Sequence, residues 1–132
     1  MPGVFEKKEL WVSTKNETGT LAKVTAPIAE AGINVETFCA YGDGKHATFM
    51  IITNNNEKTK TVLTKAGFKV EEKTVVVLET ANEIGSLFKA AQNLANANVD
   101  LNYCYSTTAP AGNKTWIVFG TKDVGKTLNA IS

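Results

Sequence analysis

KNETGTL, residues Lys15–Leu21, and ANEIGSL, residues Ala81–Leu87, are two copies of one pattern. Asn, Glu, Gly and Leu coincide, and Gly85 stands 66 residues after Gly19. The register then holds without a gap: AGINVET (Ala31–Thr37) falls on ANVDLNY (Ala97–Tyr103). Farther on, Thr48–Thr53 falls on Trp116–Thr121 at an offset of 68, so the second copy carries two extra residues in its middle loop, TTAPAGN. Self-similarity at one period across most of a chain marks a duplicated structural unit.

Each copy has the same order of elements. KELWVST and KTVVVLET are short β-rich runs that lead into the Asn-Glu-x-Gly loop. A helical period follows, with Leu21, Val24, Ile28 and Ala31 on one face and Leu87, Ala90, Leu94 and Ala97 as their counterparts. Gly32 stands where a helix C-cap glycine belongs. Pro27 conflicts with the helix, since an interior proline costs roughly 3 kcal/mol and forces a kink. INVETFCA alternates Ile33, Val35, Thr37 and Cys39 against Asn34, Glu36 and Phe38, which predicts a half-buried strand. After the turn Tyr41–Gly44, HATFMIIT predicts another strand. A weaker helix runs through Thr59, Val62, Leu63 and Ala66, and FKVEE supplies a last strand. The order is β-α-β-β-α-β. Copy two follows it through its second helix (Val124, Leu128, Ile131) and has no final strand after it.

The class is therefore α+β, with copy one at residues 7–72 and copy two at 73–132. FKVEEKTVVVLET joins them with almost no linker, so the two are expected side by side in close contact. Three strands in copy two leave a bare edge, and bare edges recruit strands. Either Met1–Glu6 covers it or a second chain does. Pro2 and Gly3 make the N-terminal segment a poor strand, which favours a homodimer.

Composition narrows the function. The 132 residues suit one ordinary domain or two very small ones sharing a core, and 43% hydrophobic content suffices for a packed interior. Fourteen basic against thirteen acidic residues give +1, which argues against a nucleic-acid partner. No apolar run approaches the ~20 residues that span a bilayer, so no membrane partner is expected. MPGVFEKKEL has no signal-peptide core, which predicts a cytoplasmic protein. Cys39 and Cys104 occupy non-equivalent positions and read as small apolar core groups rather than a redox pair. His46, the single histidine, reads as a strand-end surface residue; no Cys/His/Asp cluster has metal-ligand spacing. No catalytic constellation, metal site or cofactor is predicted. GDGK (Gly42–Lys45) lacks the rest of a phosphate loop and lies in a hairpin turn. Tyr103 and Tyr105 share a strand face and read as aromatic core.

The repeated loop carries the chemistry. Gly19 lets the backbone turn sharply, and the first helical N–H groups after it point outward, a seat for a carboxylate. Asn16 offers both a donor and an acceptor. These parts suit a zwitterion, yet Asn and Gly are also ordinary turn and cap residues, so loop chemistry alone leaves both readings standing.

N-x-x-G-x-L after a first strand, followed by a helix ending in G-I-N, resembles the ACT domain. This is the regulatory module of phosphoglycerate dehydrogenase, aspartate kinase and phenylalanine hydroxylase. The resemblance covers nearly the whole chain twice, and is closest to small stand-alone proteins made of two ACT repeats. It implies ferredoxin-like βαββαβ units that pair, with a free amino acid bound between units and a regulated partner protein downstream. It also implies that Asn16, with Thr18, Gly19, Thr20 and Leu21, contacts the effector in copy one. The counterparts are Asn82, Ile84, Gly85, Ser86 and Leu87 in copy two. Asn34 would reach in from the neighbouring unit; copy two has Asp100 there, which would favour the ligand's ammonium and repel its carboxylate. Two other readings stay open. An interaction scaffold would need no small ligand. An RNA-recognition module shares the element order, but KHATFMII carries one aromatic where that module needs several.

Overall fold

A computed structural model describes residues 3–108 and 112–132. Ten elements follow in order: β1 (Gly3–Lys15), α1 (Thr20–Glu30), β2 (Val35–Gly42), β3 (His46–Thr53), α2 (Asn56–Lys65), β4 (Val70–Ala81), α3 (Ser86–Asn96), β5 (Tyr103–Thr107), β6 (Lys114–Gly120) and α4 (Val124–Ile131). The chain divides into two compact units, Lys8–Lys73 and Met1–Lys7 with Thr74–Ser132. The architecture is α+β, two units of βαββαβ type.

The first unit places its strands in the order β2, β3, β1, with Val70–Lys73 of β4 beside β1. β1 and β3 run antiparallel from Leu10 opposite Ile51 to Lys15 opposite His46. Most of the predicted helical stripe does its work here: Val24 and Ile28 of α1, with Ala31 partly buried, pack with Val12, Phe49, Ile51 and Leu63, while Leu21 stays exposed. Each such side chain, once removed from water, contributes about 1.5–3 kcal/mol. α1 does not end at Pro27 but runs on to Glu30. His46 is exposed at the start of β3, as expected. One parity differs. A register shift between Val35 and Thr37 places two residues where the alternation allows one. Phe38 therefore turns to the core, edge-on to Phe49 at 6.0 Å, while Cys39 is left half-buried.

The second unit orders its strands as Gly3–Lys7, β4, β6, β5. β4 pairs with β6 (Val76 opposite Phe119) and β6 with β5 (Tyr105 opposite Val118). Val76, Leu78, Ala90, Leu94, Ile117, Phe119 and Ile131 form its core. Tyr103 and Tyr105 are half-buried, with their rings stacked 6.3 Å apart. Gly120 is glycine because Tyr103 lies over it: a Cβ there would sit 2.1 Å from the ring. Cys104 is exposed on β5, so the expectation of a buried thiol fails for it; it stands opposite Phe119 on the core face, but on the outermost strand of the sheet, where the core does not cover it fully. Of the TTAPAGN loop, Ala109, Pro110 and Ala111 lie outside the described residues.

Among the described residues the outer flank of β4 in the second unit is taken by Gly3–Lys7, and the expectation about the N-terminal segment is corrected. β1 begins at Gly3, and Gly3–Lys7 belongs to the unit of copy two. Val4 packs against that unit's core, and Phe5 meets Trp116 edge-on at 5.4 Å. Strand propensity is weak and context-dependent, and an edge with unpaired amides and carbonyls outweighs it. The argument for a dimer from a bare edge thereby loses its premise. Among the described residues, no helix is long and apolar enough to cross a membrane.

Candidate functional site

The repeated loops superimpose chemically. Gly19 (φ +88°) and Gly85 (φ +87°) both sit in the left-handed region immediately before a helix. Neither helix has a side-chain cap. By contrast α2 and α4 are capped, the Asn55 carboxamide accepting from the Lys58 amide at 3.1 Å and the Asp123 carboxylate from the Lys126 amide at 3.0 Å. In α1 the amide of Thr20 donates to the Glu17 carbonyl at 3.1 Å, and that of Lys23 to the Gly19 carbonyl at 3.0 Å. The amides of Leu21 and Ala22, between them, meet no acceptor among the described residues. Leu87 and Phe88 repeat this between Ser86 and Lys89. The two loop helices thus present bare donors with no acidic residue in their first turns, the arrangement that favours an anion.

What shapes each loop is internal. The Thr20 hydroxyl accepts from the Glu17 amide at 3.2 Å and donates to the Glu17 carbonyl at 2.7 Å. Ser86 Oγ donates to the Ala81 carbonyl at 2.7 Å. Asn16 Nδ2 donates to the Gly44 carbonyl at 3.0 Å, and Asn82 Nδ2 to the Gly112 carbonyl at 2.9 Å. Both asparagines therefore tie the loop to the hairpin turn beside it and keep only the side-chain oxygen for anything else. Gly42 is required by this tie, since a Cβ there would lie 2.6 Å from Asn16 Nδ2.

Asn34 and Asp100 lie elsewhere. Asn34 exchanges hydrogen bonds with Asn54, its amide donating to Asn54 Oδ1 and its carbonyl accepting from the Asn54 amide. That is the Thr53 end of β3, whereas Asn16 lies at the His46 end. Eight strand residues separate the two by about 20 Å. The Asp100 carbonyl accepts from Thr121 Oγ1 at 3.0 Å, at the far end of β6 from Asn82. Within one unit, then, the loop and the second-strand residue do not meet.

In the second unit a cavity of about 460 Å³ opens at the loop. Ile84, Gly85 and Ser86 line it, as do Glu83, Lys89, Asn93 and Asn113, none of which the loop motif marks as a site residue. Comparing the two copies residue by residue holds the missing signal: Ala90 and Asn93 stand where copy one has Val24 and Pro27.

The glycines act through their φ rather than through space, since a Cβ at Gly19 or Gly85 would meet nothing within 4 Å. Gly85→Val is expected to cost about 1–2 kcal/mol, the penalty of a side chain held in the left-handed region. It should also reorient the Leu87 and Phe88 amides. Urea unfolding checks the first effect; a cost indistinguishable from that of a surface substitution would show that the loop has other conformations.

Thiol chemistry finds no support. Burial pushes both the Cys39 and the Cys104 thiol up, Cys39 further through the Glu9 carboxylate, so both stay protonated at neutral pH and are poor nucleophiles. The Glu79 carboxyl lies below the usual range, held by hydrogen bonds from Trp116 Nε1 at 2.9 Å and Lys114 Nζ at 3.4 Å. A lowered folded-state pKa gives stability that is present above the ordinary carboxylate range and fades as pH falls through the folded value. Glu79→Gln is expected to flatten the acid side of the stability–pH curve; urea midpoints measured from neutral to acid pH that keep the same slope would contradict it.

The comparisons with known proteins concern the fold and the family. A search of curated proteins finds no match. Among solved structures, a protein from Bacteroides thetaiotaomicron is 24% identical with a TM-score of 0.87, over 96% of this chain and 87% of that one. The ligand-free regulatory subunit of aspartate kinase from Thermus thermophilus is 15% identical with a TM-score of 0.64, over 98% and 94%. The corresponding subunit from Thermus flavus is 15% identical with a TM-score of 0.58, over 98% and 94%. At these identities the likeness is one of fold. A family model for the ACT domain pair matches residues 6–132, and the chain belongs to that family.

Proposed function

We propose that this chain is a non-catalytic regulatory protein whose repeated loops hold a free amino acid. The observation that carries the reading is the contrast among the four helices: α2 and α4 are capped by side chains, while α1 and α3, the two that follow the Asn-Glu-x-Gly loops, present bare amides. Bare amides suit a carboxylate, and the free side-chain oxygens of Asn16 and Asn82 suit an ammonium. The roles of Thr18, Thr20, Leu21, Ile84, Ser86 and Leu87 follow from their place around these donors. Asn34 and Asp100 lie about 20 Å from the loop of their own copy, so within one copy they do not share its site.

Recognition of a zwitterion demands both charges. The α-amino acid that binds is expected to raise the unfolding temperature. Its decarboxylated amine and its deaminated acid should not. Equal shifts from all three would overturn the zwitterion reading.

Pairing of two chains belongs to the same proposal and now rests on the family's habit of pairing, together with an exposed apolar group beside the second loop. Ile84 is fully exposed, and Leu87 and Phe88 are 53% and 69% exposed. The same group favours the second reading, an interaction scaffold. Sedimentation at micromolar concentration is expected to give twice the 14.2 kDa chain mass; a monomer would remove the pairing and leave the ligand reading to its own test.

A further inference from the structure

The cavity of about 460 Å³ in the second unit falls within the size range of small-molecule sites. Its floor is apolar, built from Leu78 of β4, Ala90 of α3 and Ile131 of α4. Charged groups stand at its rim, Lys89 one turn into α3 and Glu83 in the loop. Copy one differs at the corresponding positions in three ways.

Ala90 is Val24 in copy one, so the helix there offers more bulk toward its sheet, and the polar Asn93 is Pro27. Phe68 packs against the first core directly after α2, its amide donating to the carbonyl of Leu63, the counterpart of Ile131. In the second unit the partly buried residues around the core are Val4, Val99, Val124, Leu128 and Ala130, none of them aromatic. Finally, Lys23 and Glu17 of copy one pair with each other at 3.5 Å. Their counterparts Lys89 and Glu83 form no ion pair among the described residues. Copy one thus pairs the two charges of its loop and first helical turn with each other and packs Phe68 against its core. In copy two Glu79 and Lys114, which also line the cavity, pair at 3.4 Å, and Lys89 and Glu83 are left to meet a ligand.

We propose that the second copy is the binding copy and that its ligand is an α-amino acid with an apolar side chain. The side chain occupies the floor over Ala90 and Ile131, Lys89 meets the carboxylate and Glu83 the ammonium. This rests on the amino-acid reading above and adds to it the copy, the side-chain class and two charged contacts. An apolar floor discriminates by size, about fourfold in affinity for each methylene it buries. It rejects charged side chains because it offers them no partner.

Calorimetric titration of the intact chain with leucine, methionine, phenylalanine, serine, aspartate and lysine tests this. The three apolar amino acids are expected to bind at least tenfold more tightly than the other three. Lys89→Met should weaken the best ligand at least tenfold while leaving the melting temperature of the free chain unchanged, since Lys89 is exposed. Lys23→Met should leave binding unchanged. Ala90→Leu should fill the floor and abolish apolar binding; should it fail to fold, the two lysine variants still decide. Preference for a polar side chain, or loss of binding in Lys23→Met and not in Lys89→Met, overturns this proposal and leaves the amino-acid reading intact. No binding by any of the twenty amino acids overturns both.

Discussion

Removing residues 1–7 is expected to destabilise the unit of copy two by about 1.5–3 kcal/mol, since Val4 and Phe5 are half-buried and each contributes roughly half of what full burial gives. Val4 lies against its core and Phe5 against Trp116. Beyond that loss, the flank of β4 would expose unpaired amides and carbonyls, so the truncated chain should self-associate more strongly than the intact one. Urea unfolding measures the first effect and light scattering the second. A truncated chain with the stability and mass of the intact one would show that Gly3–Lys7 adds nothing to this unit.

Phe119→Ala should cost about 3–5 kcal/mol, since the transfer term and the cavity term add when a large ring is deleted from a closed core. Phe119 is 1% exposed, faces Val76 across the sheet and packs with Ala90, Leu94 and Ile131. That is a large share of the 5–15 kcal/mol typical of a whole domain. The loss should appear as a lower urea midpoint, or as unfolding of this unit ahead of the other. A cost below about 1 kcal/mol would mean that the core collapses around the gap.

Much of this was legible in the sequence because duplication converts weak signals into strong ones. One Asn-Glu-x-Gly loop is a turn; two in register, each between a β-rich run and a helical stripe, define a unit. The alternation in INVETFCA placed the strand but not its faces, because a bulge between Val35 and Thr37 shifts the parity and leaves no mark in composition. The N-terminal strand escapes the sequence for a different reason. Local propensity at Pro2 and Gly3 says nothing about the pairing demand of β4, some seventy residues away. Asn16 and Asn82 were legible as loop residues, but their ties to the Gly44 and Gly112 carbonyls depend on a hairpin turn brought close only by folding. The second-unit cavity is an absence of bulk. A periodic pattern records which faces are apolar, not how well they are filled.

The central claim is that these loops hold a free amino acid. Unfolding midpoints of the intact chain with each of the twenty amino acids at millimolar concentration test it most directly. The account predicts that at least one raises the midpoint by several degrees, since saturation at a hundred times Kd adds about 2.7 kcal/mol. It also predicts that the shift disappears in Gly85→Val. Twenty unshifted midpoints would contradict it and leave the interaction scaffold as the better description of the chain.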